Sequence, residues 1–365
     1  MKSKTLNEFL NNAMLQEAIA VDNSIDIQNA RQNVPFTFLQ YLKIRMRPNF
    51  NAVITNADNS VGAATVQSFD AEGKTQGPRS ISTMNLDKNP ISNAKVMSER
   101  EMGDFEHLLS ASSGQDGTKL IAEKMFDAKT INDLAIYERF EDMYLQLLST
   151  GKITLTASNN LDGLLTVIDY DVPASHKNEA SVKWSTTGSA VPITDMKAII
   201  KLAKAEGIIF DSIFMDDTAL ELMMNTDSFK ELILKTFGDG VSAKLVGLEQ
   251  VNKIFKLVGL PKIVIIEDIV RVVNSSNQIV MANSWESTNV TFGVSSQQGE
   301  ISTATPPKTL LAGKTDINFA VDNKTGIMNI IKTSADPMFQ KQTGKVYALP
   351  VVPAIYRNYF LDINP

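Results

Sequence analysis

The 365-residue chain contains no cysteine. Disulfide staples, thiolate metal sites and cysteine nucleophiles are excluded together. Histidine is nearly missing, with only His107 and His176 present. No stretch approaches the roughly eighteen apolar residues of a membrane helix. The best run, "IVIIEDIV" at 263–270, is short and carries acids. An excess of positive charge is also lacking: the net charge of −6 argues against a chain built to grip nucleic acid, which needs clustered Lys and Arg. The start, "MKSKTLNEFLNNAM", has lysines, but Asn and Glu interrupt the apolar core a secretion signal requires. Synthesis and retention in a cytoplasm are therefore expected.

What is present suits a folded protein. Hydrophobic residues make up 43% and charged residues 21%, and the length accommodates two cores. Thr5 and Glu8 form a capping box ahead of Leu6, Phe9, Leu10 and Ala13, which share a helix face. Residues 21–40, rich in Asn and Gln with Pro35, read as an extended arm. In "LKIRMRP" (42–48) Lys43, Arg45 and Arg47 alternate with apolar residues, placing three cations on one strand face. Two runs of β-formers, 51–55 and 61–69, flank the turn "ADNS" and predict a hairpin. It has too few apolar residues to bury both faces, so it is expected to project from the body.

Residues 95–150 are mostly helical. Ile136, Phe140, Met143 or Tyr144, and Leu147 recur at helical spacing over 131–149, opposite Glu138, Arg139, Glu141 and Asp142. Such a helix is roughly 28 Å long. Gly151 ends it, and "KITLTAS", "LLTVIDY" and "EASVKWS" read as strands, so a long helix lies on an antiparallel sheet, an α+β arrangement. From 194 the chain alternates helices with apolar strands: "ITDMKAIIKLAKAEG", capped by Thr194 or Asp195, then "IIFDSIFM", two short helices in 216–238, and "PKIVIIED". The tail "KVYALPVVPAIYRNYFLD" is strand-like, and Pro350 and Pro353 restrict it to edges or to a strand that switches partners.

Catalytic signatures are missing: no P-loop, dinucleotide turn, HExxH, GxSxG or EF-hand pattern occurs. His107 and His176 read as solvated or structural. Asp216 and Asp217 precede a helix, where capping explains at least one. Asp169 and Asp171, and Glu267 with Asp268, stand at strand ends. The cationic stripe reads as a solvated strand face, and its functional reading is contact with an acidic neighbour.

The order of parts, with "STGKITL" at the helix–strand joint, "TVIDYDVP" before "VKWSTTGSAVPITDMKAI", "FMDDTALELMMNTDSFKELI" and the ending "TSADPMFQKQTGKVYALPVVPAIYRNYF", resembles the major head proteins of tailed bacteriophages. The closest resemblance is to the lambda-type major capsid protein E family, from about residue 40 to the C-terminus. It implies a Hong Kong 97-type shell fold: an N-terminal arm over 1–42, an extended loop over 43–94, a peripheral domain with a spine helix over 95–193 and 332–365, and an axial domain over 194–331. It also implies a virion shell protein rather than an enzyme, with no cofactor or metal. Copies of itself in pentamers and hexamers are the expected partners, with a separate scaffolding protein, a portal and a decoration protein besides. Contact with packaged double-stranded DNA is expected to be weak and non-specific. The short stretch ahead of the loop leaves no room for a fused scaffold. Crosslinking through Lys74 is not expected, since no acid-assisted site matches. Aromatic and cationic side chains of the arm and loop, Lys43, Arg45, Arg47, Phe50 and Phe69, are the subunit-interface candidates. Two alternatives stand beside this: an encapsulin-like compartment shell, and a cytoplasmic α+β enzyme built on a carboxylate metal site.

Overall fold

The structure, a computed structural model, describes residues 34–57, 81–111, 115–162, 165–238, 246–308 and 317–365. A short helix α1 (Thr37–Tyr41) runs into strand β1 (Leu42–Met46). Strands β2 (Asn51–Ala57) and β3 (Ile81–Asp87) pair as a hairpin, and β4 (Asn89–Ser98) follows directly. Helices α2 (Glu99–Ala111) and α3 (Gln115–Thr150) lead to the small hairpin β5 (Lys152–Leu155) and β6 (Thr166–Asp169). The middle of the chain supplies β7 (Lys177–Glu179), α4 (Pro192–Ala205), β8 (Ser212–Met215), α5 (Asp217–Asn225), α6 (Asp227–Phe237), α7 (Leu248–Val258) and β9 (Lys262–Ile265). Strands β10 (Arg271–Val273), β11 (Ile279–Met281), β12 (Asn289–Gly293), β13 (Gly299–Ala304), β14 (Ile317–Val321), β15 (Met328–Ala335), β16 (Met338–Val351) and β17 (Tyr359–Asp362) complete it.

The helix α3 has 36 residues, about 54 Å at 1.5 Å per residue, nearly twice the expected length. Its last turns are buried on every side. Ile136, Phe140, Met143, Tyr144 and Leu147 are buried in the core, and Glu138, Glu141 and Asp142, on the opposite face of the helix, are buried as well. Gly151, at φ +74°, ends the helix; its N–H bonds the Leu147 carbonyl at 2.8 Å. Only glycine takes this left-handed position without strain. The chain enters β5 at the next residue, with Ile153 and Leu155 buried as their alternation predicts.

Two sheets form the body. In the larger, β16 pairs with β4 along one edge through residues 339–348. Along the other edge it pairs first with β15 and then, over 347–351, with β13. This change of partner is the role the prolines allow: Pro350 lies beyond the end of β4, opposite Ile301 of β13. Strand β1 adds in parallel to β13, and β14 closes the far end beside β15. The second sheet runs β7-β17-β12-β8-β9 and is mixed, β8 and β9 being parallel across α5, α6 and α7.

This second sheet is the wall between two cores. Ile213 and Met215 of β8 join the cluster of Trp184, Met196, Phe229, Ile254 and Phe292, whereas Phe214 between them packs in the cluster of Tyr41, Phe140, Tyr144 and Leu349. In β17, Tyr359 and Leu361 face the former and Phe360 the latter. Two-residue alternation thus buries both faces.

Several expectations are corrected. Residues 37–41, expected to be extended up to 40, form helix α1, and Phe36, Phe38, Tyr41 and Leu42 are buried in the core with residues of α3. "EASVKWS" is not one strand; β7 stops at Glu179, and Trp184 is buried from a turn instead. Neither Thr194 nor Asp195 caps α4. Val191 is the N-cap, Pro192 occupies the first turn, and the Asp195 carboxylate accepts from Ser181 Oγ at 2.7 Å and Trp184 Nε1 at 3.1 Å. Asp216 does cap α5, accepting the Ala219 N–H at 2.8 Å. The boundaries expected at 42/43, 94/95, 193/194 and 331/332 fall inside β1, β4, α4 and β15.

Candidate assembly surface at the hairpin root

Strand β2 pairs with 81–87, Ala52 opposite Leu86 and Ile54 opposite Met84; the pairing of 51–55 expected with 61–69 falls outside the described residues. Residues 61–69, with Phe69, and Lys74 lie outside the described residues. The base of this hairpin packs on its own body: Ala52 and Ile54 are buried, with Met84 and Leu86 against the same core. The opposite face is open. Val53 on it is 57% exposed, and Phe50, just ahead of β2, and Met46, at the end of β1, are each 43% exposed.

The three cations lie on β1 and just after it. Glu300, on the parallel neighbour β13, stands opposite Lys43 in register. Its two oxygens accept from Arg47 Nε at 3.0 Å and Nη2 at 3.1 Å, and Arg45 Nε lies 3.5 Å away. The acidic neighbour of the two arginines therefore belongs to the same chain, and the strip stays net positive, with one carboxylate against three cations. Phe50 meets Tyr347 of β16 edge-on, ring centroids 4.9 Å apart, and Lys345 Nζ sits 5.7 Å from the Tyr347 ring centre.

Lys88, the single residue between β3 and β4, is only 4% exposed. Its ammonium donates to the carbonyls of Asn49 at 2.7 Å, Arg47 at 3.0 Å and Thr303 at 3.2 Å. Burial lowers its pKa to about 8, with Glu300 opposing the shift and Arg47 adding to it. Sequence reasoning missed this residue, since lysine is almost never fully buried and nothing local marks it. It missed the carboxylates of α3 for the same reason. Glu141 accepts the N–H groups of Thr37 and Phe38, and Asp142 binds Arg139, Gln146 and Ser284.

The remaining acids are dispersed. Asp169 pairs with Lys152 at 2.9 Å, and Asp268 accepts the Trp285 N–H at 2.8 Å. Among the described residues no group of three or more His, Asp or Glu is placed to hold a metal ion. A cavity of about 320 Å³ beside α3 is lined by one acid, Asp142, with Asn159, Asn274 and Asn283; that acid is already bonded as above. His107 is exposed on α2. His176 is buried, stacked on Tyr359 at 4.1 Å, with Nε2 2.9 Å from Glu206. No helix of the described residues is long and apolar enough to cross a membrane.

Comparison with curated proteins gives no match. Among solved structures, the chain is similar to one assigned as the capsid protein of an Escherichia coli CFT073 prophage. The TM-score is 0.50 at 13% identity, covering 93% of this chain and 98% of that one. It is also similar to a phage-related protein of Bordetella bronchiseptica RB50, with a TM-score of 0.49 at 13% identity over 94% and 97% of the two chains. The capsid of Myoviridae phage XM1 gives 0.44 at 13% identity over 90% and 91%. The fold is the mixed α+β, Hong Kong 97-like fold of phage capsid proteins. The family model described as phage major capsid protein E matches residues 29–283. The chain belongs to the phage major capsid protein E family and is a head shell protein of a tailed phage, at home in the virion shell.

Proposed function

We propose that copies of this chain join through the hairpin that leaves the body at residues 47–50 and returns at Lys88. The observation that carries the reading is the pairing of a pinned root with an open face. Ala52, Ile54, Met84 and Leu86 tie the base to the core, while Met46, Phe50 and Val53 stay exposed, and Lys43, Arg45 and Arg47 lie on β1 and just after it. Exposed apolar side chains beside paired arginines suit a contact with a second subunit. Phe69 lies further along the same segment. Each subunit both offers and receives such a hairpin, a heterologous contact that closes into rings of five and six.

The family's division into arm, extended loop, peripheral and axial parts is proposed to hold here with shifted borders. The loop is rooted at 47–50 and 88, the peripheral part is built on α3 and the larger sheet, and the axial part contains α4 to α7. The chain acts as shell material without catalysis. A separate scaffold guides assembly, a portal occupies one vertex, a decoration protein reinforces the shell, and DNA touches the wall weakly, in keeping with the net charge of −6.

Replacing residues 58–80 by a short turn tests the reading, with sedimentation and electron microscopy of the variant beside the full chain. Loss of closed particles with a folded subunit is expected. Normal particles without the segment would overturn it.

A further inference from the structure

The hairpin meets the body on two legs, and one ammonium holds both. The carbonyls of Arg47 and Asn49 belong to the outgoing leg; Lys88 itself is the returning leg, and its own N–H bonds the Phe50 carbonyl at 2.8 Å. The third carbonyl, of Thr303, belongs to β13, and it also accepts the Arg47 N–H at 2.7 Å. An ammonium has three protons and no acceptor, so three carbonyls satisfy it completely. A buried charge is an expensive filler for such a position, as the lowered pKa shows. Methionine would fill the volume but leave the three carbonyls without that donor. What the lysine adds is a bond between three separate segments at one point.

Resting on the hairpin reading above, we propose that Lys88 is the positioning residue that fixes the direction in which the 51–87 hairpin leaves the subunit, and so the place where it meets a neighbouring copy. Two further contacts brace the same root, Arg47 on Glu300 and Phe50 on Tyr347. Both are at the surface, where screening by water weakens the ion pair. Lys88 is the buried member of the set and acts on both legs together. The device is conformational: it holds both legs of the root in one orientation before assembly, so less freedom is lost on docking.

The test uses the full chain carrying Lys88→Ala. The subunit is expected to keep its circular dichroism, while the amides at position 88 and of Arg47 exchange hydrogen about tenfold to a hundredfold faster, as loss of charge-assisted bonds at the root requires. Particles seen by electron microscopy become irregular or fail to close. Added propylammonium, which carries three N–H donors, restores slow exchange and regular particles; tetramethylammonium, with the same charge and no donor, does not. Unchanged exchange at these amides, or equal effects of the two cations, overturns the proposal. Should Lys88→Ala fail to fold, Lys88→Met keeps the stem and is measured the same way; normal root protection and normal particles in it also overturn the proposal. The variant lacking 58–80 separates the two levels. If it assembles normally, the hairpin reading falls and this proposal with it. If it does not assemble while Lys88→Ala builds regular particles, only the role of Lys88 falls.

Discussion

The carboxylate of Glu141, buried in the middle of the long helix, accepts the backbone N–H of Phe38 at 2.8 Å, and its other oxygen takes the N–H of Thr37 at the same distance. One side chain of α3 thereby caps the first turn of α1, more than a hundred residues earlier in sequence. A carboxylate at a helix N-terminus satisfies otherwise unbonded donors and matches the local dipole. Glu141→Ala leaves those donors buried and is expected to destabilise the subunit by roughly 2–4 kcal/mol. Urea unfolding of the two proteins measures this, and Glu141→Gln, which retains one acceptor, should fall between them.

Asp133 gives stability a dependence on acid. It is buried on α3, and its pKa rises to about 6 because burial outweighs the attraction of Lys129, 3.3 Å away; Asp322 raises it further. The folded protein therefore holds this proton over a range in which the unfolded chain has released it. The contribution is fully present at low pH and is lost as pH rises through about 6. Acidifying from about pH 7.5 to about pH 5 should add about 1.4 kcal/mol from this group. Unfolding free energies at the two pH values, compared with those of Asp133→Asn, isolate the effect, which should vanish in the variant.

Asp195 holds the turn that carries Trp184. Its oxygens accept from the Ser181 N–H, the Ser181 hydroxyl and the Trp184 indole. Asp195→Ala strands a buried indole N–H and is expected to cost about 2–3 kcal/mol. Tryptophan fluorescence should shift to the red as the turn loosens.

Gly151 makes the abrupt helix-to-strand joint possible. A Cβ there would lie 2.8 Å from Val172 Cγ2, and the backbone sits at φ +74°. Gly151→Ala should destabilise by about 1–3 kcal/mol. A drop in thermal midpoint with the native spectrum retained checks it.

These residues also mark where the sequence was legible. The Gly151 joint, the alternation of β5 and the Asp216 cap rest on neighbours within four residues, and local pattern reveals such features. The pairing of 51–57 with 81–87 does not, because 61–69 offers similar β-forming residues nearer in the chain. Strand β4, "NPISNAKVMS", is polar and begins beside Pro90, so only its ten-residue pairing with β16 makes it a strand. The burial of Glu138, Glu141 and Asp142 left no local sign because partners such as Arg271, Thr37 and Ser284 lie far away in sequence. At the root, Lys43, Arg45, Arg47 and Phe50 were visible as a cationic and aromatic stretch, whereas Glu300 and Lys88, which organise it, were not. Family membership came through the order of segments rather than through any single motif.

The absence of cysteine makes the most direct measurement simple, since one introduced thiol is unique. Ser68→Cys, labelled with a photoactivated crosslinker on the full chain and assembled into particles, reports what the hairpin touches. The account predicts covalent links to a second copy in assembled particles that disappear when the particles are dissociated before illumination. Links confined to the labelled copy itself, in closed and regular particles, would contradict it.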